Sequence, residues 1–129
     1  MIARARLVMA ILLAPIVSGC VHACTLIPCL EGLIVRLPSP PAGPFMIDVL
    51  VPAGQTLTPI HTYECPTGTC PDQVWIQNVE LTHIVVRVTT QAGVRTTDVP
   101  QVPYEMKYPN GTDCDTGCLN AVVTAELPE

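Results

Sequence analysis

The sequence predicts an all-β fold, a small antiparallel β-sandwich held by disulfides, and three observations support this prediction. The 129 residues include 14 prolines but one phenylalanine and one tryptophan, and proline interrupts helices because it lacks a backbone donor. Threonine and valine, which favour strands, are abundant. About six or seven short segments alternate with turn signals roughly every 8 to 12 residues, without a helical period. The length allows one domain.

The first 19 residues have the three parts of a signal peptide and predict an N-terminal signal helix. Arg4 and Arg6 precede an apolar run over residues 7–17, which is followed at once by small residues. As a helix, this run would span about 16 Å, half of the ~30 Å hydrocarbon core of a bilayer. A removable leader is therefore expected rather than a permanent transmembrane anchor.

The motif Val17-Ser18-Gly19-Cys20 resembles the lipobox of bacterial lipoproteins. The resemblance implies that Cys20 is diacylated on sulfur and becomes the new N-terminus. Residues 20–31 would then form the lipid anchor and a short tether, and residues 32–129 the β-sandwich domain. Val21 after the cysteine resembles outer-membrane sorting in Gram-negative bacteria. In the alternative, cleavage after Ala23 releases a soluble secreted or periplasmic protein.

The strands of the domain are expected to begin with residues 32–37, which the proline-rich run 38–44 ends. Residues 45–51 alternate with a period of two and predict a half-buried strand. Residues 52–73, rich in Pro, Thr and Gly, predict a loop with a turn between Cys65 and Cys70. Further strands are expected at residues 74–76, 81–90, 94–99, 102–108 and 121–127. The strand at 81–90 should place Ile84, Val86 and Val88 on one face and Leu81, His83, Val85 and Arg87 on the other.

The order of features from Cys24 onward resembles bacterial lipoproteins of uncharacterised function that contain an immunoglobulin-like or transthyretin-like sandwich. The features are a CxxxxC motif, the strand starting Gly32-Leu33, and Tyr104-x-x-x-Tyr108-Pro-Asn-Gly-x-x-Cys-x-x-x-Cys near the end. The resemblance is closest over residues 104–127. It implies no catalytic activity.

Export by either route leaves six cysteines, an even number that suits a disulfide framework in an oxidising compartment. In immunoglobulin-like sandwiches the first and last strands are neighbours, and Cys29 and Cys118 each lie three residues before one of them. This placement favours pairs between Cys29 and Cys118, Cys24 and Cys114, and Cys65 and Cys70. Three local pairs remain the alternative.

No metal or other cofactor is expected. The cysteines lack the CxxC spacing typical of structural zinc sites. Residues 110–117 place oxygen ligands at alternate positions, but an EF-hand counted from Asp113 requires a Glu where Thr124 stands. A turn is the expected structure there.

The sequence predicts no catalytic residues. Ser39, the single serine beyond the leader, lies between prolines. His83 has Arg87 four residues on, but no neighbour in sequence that makes it a base. Glu64 and Asp72 form a carboxylate pair that the fold could bring together. Nucleic acid is excluded as a partner because the chain after the leader has 4 basic and 11 acidic side chains, a net charge of −7.

We therefore expect a membrane-anchored exported lipoprotein that acts as a non-catalytic binding or structural module, with a protein or an envelope component as its ligand. The alternative is a secreted or tethered hydrolase that uses carboxylates or His83. A concave pocket that gathers His83, Arg87 and acidic groups would favour the hydrolase. A flat exposed apolar patch would favour the binding module.

Overall fold

The computed structural model describes Cys24 and residues 26–129, so the predicted signal helix and Cys20 lie outside the described residues. All regular elements in the described part are β-strands, and no helix there is long and apolar enough to cross a membrane. The strands are β1 (Gly32–Arg36), β2 (Phe45–Ala53), β3 (Thr56–Cys65), β4 (Gln73–Gln77), β5 (Ile84–Thr90), β6 (Gly93–Val99), β7 (Glu105–Lys107) and β8 (Cys118–Thr124).

The strands form two four-stranded sheets, which confirms the predicted all-β sandwich. The first sheet has the order β4-β1-β8-β7 and the second the order β3-β2-β5-β6. One pair departs from the predicted antiparallel arrangement, because β1 and β8 run parallel, with Leu33 opposite Ala121 and Val35 opposite Val123. The first and last strands are therefore neighbours, as expected.

One apolar cluster fills the space between the sheets. Residues at alternate positions of β1, β2, β4, β5 and β8 point into it, as the period of two requires. The predicted common face of Ile84, Val86 and Val88 in β5 is confirmed, and it points inward, since all three are fully buried. The first sheet contributes Leu33 and Val35 from β1 and Val74, Ile76, Ala121 and Val123 from its other strands, and Ala125, directly after β8, joins them.

The sandwich has two ends, which we name from the direction of the strands. The base is the end at which β1 and β8 start. The top is the opposite end, where residues 37–44 connect β1 to β2. Because β2 starts at the top and β5 is antiparallel to it, β5 runs from the base to the top.

Three disulfides join the six cysteines of the described part in the favoured pairing. Cys24 bonds to Cys114 and Cys29 to Cys118, with Cα–Cα distances of 5.6 and 5.8 Å, and both bridges lie at the base. Cys65 bonds to Cys70 and closes the connection between β3 and β4. The alternative of three local pairs is wrong.

The predicted loop over residues 52–73 is wrong in its first half, because β3 is a ten-residue strand paired with β2 along its length. Most of its side chains are exposed, so no apolar alternation marks the strand in the sequence. It tolerates Pro59 because it is an edge strand, where a missing donor can face solvent. A register shift opposite Val49 and Leu50 leaves Ile60 without a partner in β2.

The bounds of three other strands differ from the prediction by three residues at one end or both. The strand expected at 81–90 begins at Ile84, and the one expected at 102–108 contracts to Glu105–Lys107. The last strand, expected at 121–127, is shifted to Cys118–Thr124, although Ala125 is still buried and its N–H still donates to the Arg36 carbonyl.

Candidate ligand-binding face

The outward face of the first sheet has an apolar row that crosses three strands. Ile34 of β1 lies opposite Trp75 of β4 on one side and opposite Val122 of β8 on the other. Trp75 and Val122 are each 38 % exposed. Strands about 4.8 Å apart give the row a span of roughly 10 Å. We call Ile34, Trp75 and Val122 the outer strip.

The indole of Trp75 has a fixed position on this face. Its Nε1 donates a hydrogen bond of 3.1 Å to the carbonyl oxygen of Glu31, the residue before Gly32. The ring therefore extends along the sheet toward the start of β1, past Gly32, which has no side chain to obstruct it. A partly exposed indole whose N–H is already satisfied offers mainly apolar surface to a ligand.

Polar side chains border the outer strip on both sides. Toward the top, Gln73, Arg36 and Thr124 lie opposite one another on β4, β1 and β8. Toward the base, Gln77 and Asn120 lie on either side of Gly32. An apolar centre with hydrogen-bonding groups around it is the usual composition of a recognition surface.

An ion pair occupies the margin of this face on β7. Lys107 donates a hydrogen bond to Glu105, two residues earlier on the same strand. That hydrogen bond, together with the positive charge of Lys107, lowers the pKa of Glu105. Because the contact favours the carboxylate form, it stabilises the fold at pH values above the ordinary pKa of Glu. This stabilisation is lost as the pH falls through the lowered pKa of Glu105.

The residues of the predicted hydrolase alternative lie on the outward face of the second sheet. His83, Val85 and Arg87 share this face, as the sequence predicted. His83 Nε2 lies 2.6 Å from Asp98 Oδ1, and these side chains are 41 % and 65 % exposed. Of the predicted carboxylate pair, Glu64 lies in β3 of the second sheet and Asp72 leads into β4 of the first.

The main clefts of the described part of the chain lie away from His83. Five of them are lined by residues other than His83, Arg87 and their carboxylate partners. Ser39 lines a cleft at the top, whereas His83 precedes β5 at the base. The seven residues of β5 separate the two ends by about 20 Å, which is too far for a serine and a histidine to exchange a proton.

Arg87 is engaged in a structural contact. Its Nε and Nη2 donate to Oδ2 of Asp48 at 3.0 and 2.7 Å, and Thr62 Oγ1 donates to Oδ1 at 2.7 Å. Asp48 is only 4 % exposed. The three donors come from both strands that flank β2, so the cluster ties β3, β2 and β5 together.

The segment after Tyr108 forms the predicted turn. Gly111 N–H donates to the Tyr108 carbonyl, and Cys114 and Asp115 N–H both donate to the Gly111 carbonyl. The Asp115 carboxylate accepts hydrogen bonds from the backbone and side chain of Asn110. No group of three or more His, Cys, Asp or Glu residues that could hold a metal occurs among residues 26–129 and Cys24.

The fold and this face define the chain as a disulfide-bonded β-sandwich with an exposed apolar strip. Compared with models of known protein families, with curated proteins and with solved structures, it matches none of them. Three disulfides are typical of proteins in an oxidising compartment, outside the cytosol.

The outer strip was not among the features predicted from the sequence. The segment Val74-Trp75-Ile76 did contain a signal, because a period of two puts Trp75 on the face opposite to its two neighbours. What the sequence could not supply was the pairing of β4 with β1, which brings Trp75 beside Ile34.

Proposed function

We propose that this chain is a non-catalytic binding module of the bacterial cell envelope, anchored to a membrane by lipid on Cys20, with a protein or another envelope component as its ligand. The observation that supports the binding role is the outer strip. It is a flat apolar row with a positioned tryptophan, and hydrogen-bonding side chains surround it.

The sequence supports the anchor. The lipobox-like motif ends at Cys20, directly after the apolar run of the leader. The six cysteines of the described part pair with one another, so none of them is left to form a disulfide with Cys20. Two acyl chains, each methylene adding about 0.8 kcal/mol when buried, hold a protein stably on a bilayer.

Photo-cross-linking in intact cells tests the binding role. A photoreactive amino acid replaces Val122 in the outer strip, and in a matched control it replaces Val94, which is exposed on β6 of the other sheet. We expect a discrete cross-linked species from position 122 and none from position 94. Trp75→Ala should abolish that species while the protein level stays unchanged. Equal labelling from both positions would refute a binding role for the outer strip.

Mass spectrometry of the mature N-terminus tests the anchor. We expect a chain that begins at Cys20 and carries the added mass of a diacylglycerol group, and we expect Cys20→Ser to lose that mass and to leave the membrane fraction. An unmodified chain that begins at Cys24 would establish the soluble alternative.

One observation favours the second candidate, a hydrolase, namely the short contact between His83 and Asp98. A carboxylate partner orients and activates a histidine base in many hydrolases. The pair is nevertheless exposed and lines none of the five clefts considered above. We expect no esterase, glycosidase or peptidase turnover that His83→Ala removes, and turnover that does depend on His83 would favour the hydrolase.

A further inference from the structure

The base of the sandwich has a concentration of exposed apolar side chains that the proposed function does not use. Ten large apolar side chains are exposed among the described residues. Five of them lie in the two segments that the Cys24–Cys114 and Cys29–Cys118 bridges join. We call these five the apolar tip: Leu26, Ile27, Leu30, Met106 and Tyr108.

Contacts between the two segments bring three of these side chains, Leu30, Met106 and Tyr108, close together. Leu30 and Tyr108 line the same cleft, together with two prolines, Pro28 and Pro109. Met106 and Tyr108 meet over Gly117, where an added Cβ would lie 2.7 Å from the Tyr108 ring and 2.8 Å from the Met106 sulfur.

The backbone beneath the tip is fixed. Ile27 N–H donates to Asn110 Oδ1 and the Asn110 amide donates back to the Ile27 carbonyl, each at 2.8 Å. The Cys24 and Cys29 bridges lie on either side of this double hydrogen bond. Leu26, between them, is nonetheless 98 % exposed. The structure thus holds the backbone on both sides of an apolar side chain that faces water, a side chain whose burial by a partner would be favourable.

The length of chain before the tip indicates what covers it. Cys20, the residue proposed to be lipidated, precedes Cys24 by four residues. Four extended residues reach at most about 14 Å, and the interfacial layer of a bilayer is about 6 Å thick on each side. A lipid on Cys20 would therefore keep the base of the sandwich at the membrane surface.

We propose that the apolar tip inserts into the lipid–water interface beside the lipid anchor and forms a second, protein-borne contact with the membrane; this inference rests on the lipid anchor of the proposed function. Leucine, isoleucine and methionine suit the acyl boundary, and tyrosine is enriched at the interface. The titratable groups in the two segments of the tip are mostly acidic, with Lys107 as the base and Glu31, Glu105, Asp113 and Asp115 as the acids. The contact is therefore apolar and does not require anionic lipids.

Depth-dependent quenching on the lipidated protein tests this proposal. In a Trp75→Phe background, Leu26→Trp places the only indole of the mature protein in the tip, and the nearly complete exposure of Leu26 makes the substitution tolerable. The matched control is Val94→Trp in the same background, also at an exposed position but at the top of the second sheet. Each protein is reconstituted in phosphatidylcholine vesicles whose acyl chains carry bromine near the interface.

We expect the bromines to quench the indole emission of the Leu26→Trp protein about twofold or more, with a blue shift that persists from about 50 to 500 mM salt, a range over which screening changes strongly. The emission of the Val94→Trp protein should stay unquenched.

Unquenched emission from the Leu26→Trp protein, with its lipid verified by mass spectrometry, would overturn the inference and leave the anchor intact. A blue shift without quenching that grows with protein concentration would also overturn it, in favour of a second copy on the tip. Absence of the lipid would instead contradict the proposed function.

Discussion

Asp48 is the buried charged residue among those that the structure describes, and its setting explains how the sandwich tolerates it. A buried carboxylate is costly unless its lone pairs are satisfied. Arg87 and Thr62 together supply three hydrogen bonds to it. Its neighbours on the same outward face, Leu50 and Val85, are also buried. The second sheet therefore protects part of its outward face from water as well as its inward one.

Removing Arg87 should destabilise the fold more than removing an exposed arginine. Arg87→Met leaves Asp48 buried with Thr62 as its remaining side-chain donor, and we expect a loss of about 1 to 3 kcal/mol in the free energy of unfolding, moderated because Arg87 itself is partly exposed. Arg95→Met, which breaks the exposed pair with Glu126, should cost less than about 1 kcal/mol. Urea denaturation with the disulfides intact measures both, and equal losses would contradict this account.

Gly32 is a position where no other residue fits. Its φ of +124° is unfavourable for a side chain, and a Cβ would lie 2.2 Å from the Ile76 carbonyl oxygen. We expect Gly32→Ala to cost more than about 2 kcal/mol, because the backbone of β4 would have to move. Gly54→Ala is the control, since its φ is +65° but no atom lies within 4 Å of the added Cβ; about 1 kcal/mol is expected there. Thermal unfolding of the two variants compares them, and a Gly32→Ala midpoint equal to that of Gly54→Ala would refute the clash.

At the level of elements, the base depends on two overlapping disulfides that close nearly the same loop. The Cys24–Cys114 and Cys29–Cys118 bridges have sequence separations of 90 and 89 residues. Either bridge alone closes the long loop, so the second adds only the closure of a ring of about ten residues. In the chain-entropy model, the first closure contributes about 4.6 kcal/mol and the second about 2.7 kcal/mol.

The losses in the free energy of unfolding that follow removal of these bridges should therefore be non-additive. Replacing either cysteine pair by alanine should cost about 3 kcal/mol, whereas replacing both pairs should cost about 7 kcal/mol. Removing the Cys65–Cys70 bridge, with a separation of 5, should cost about 2 kcal/mol. Urea denaturation of the four proteins gives these values, and a double loss equal to the sum of the single losses would refute the shared-loop argument.

The elements that the sequence predicted well are those with one buried face. The faces of β2 and β5 could be read from their alternation, since a strand between a core and solvent has a period of two. β3 could not be read, because an edge strand with both faces largely exposed leaves no such pattern. The outer strip could not be predicted, because it depends on which strands are neighbours. The burial of Asp48 could not be predicted either, because Asp48 occupies an outward position in β2 and is buried by its partners in β3 and β5.

For the whole molecule, these contributions mean that the oxidation state decides whether the domain folds. Domains of this size are stable by about 5 to 15 kcal/mol, and the two basal bridges together contribute an amount of that order. We expect residues 20–129 made in a reducing cytosol to be largely unfolded and protease-sensitive. The same chain exported to an oxidising compartment should be resistant and contain no free thiol among the six paired cysteines. Limited proteolysis with thiol labelling measures this, and a protease-resistant protein with six free thiols would contradict it.

The same two bridges also determine how the molecule responds to force. If a load is applied between residue 24 and Glu129, it passes through the Cys24–Cys114 bond, enters the chain at residue 114 and continues along β8. Residues 25–113, which contain seven of the eight strands, lie off that covalent path. Even complete mechanical unravelling would lengthen the oxidised molecule to about 55 Å, against roughly 370 Å for the reduced chain. If Cys20 carries the proposed lipid, an oxidised domain would therefore act as a link of small extension between the membrane and whatever pulls on residue 129.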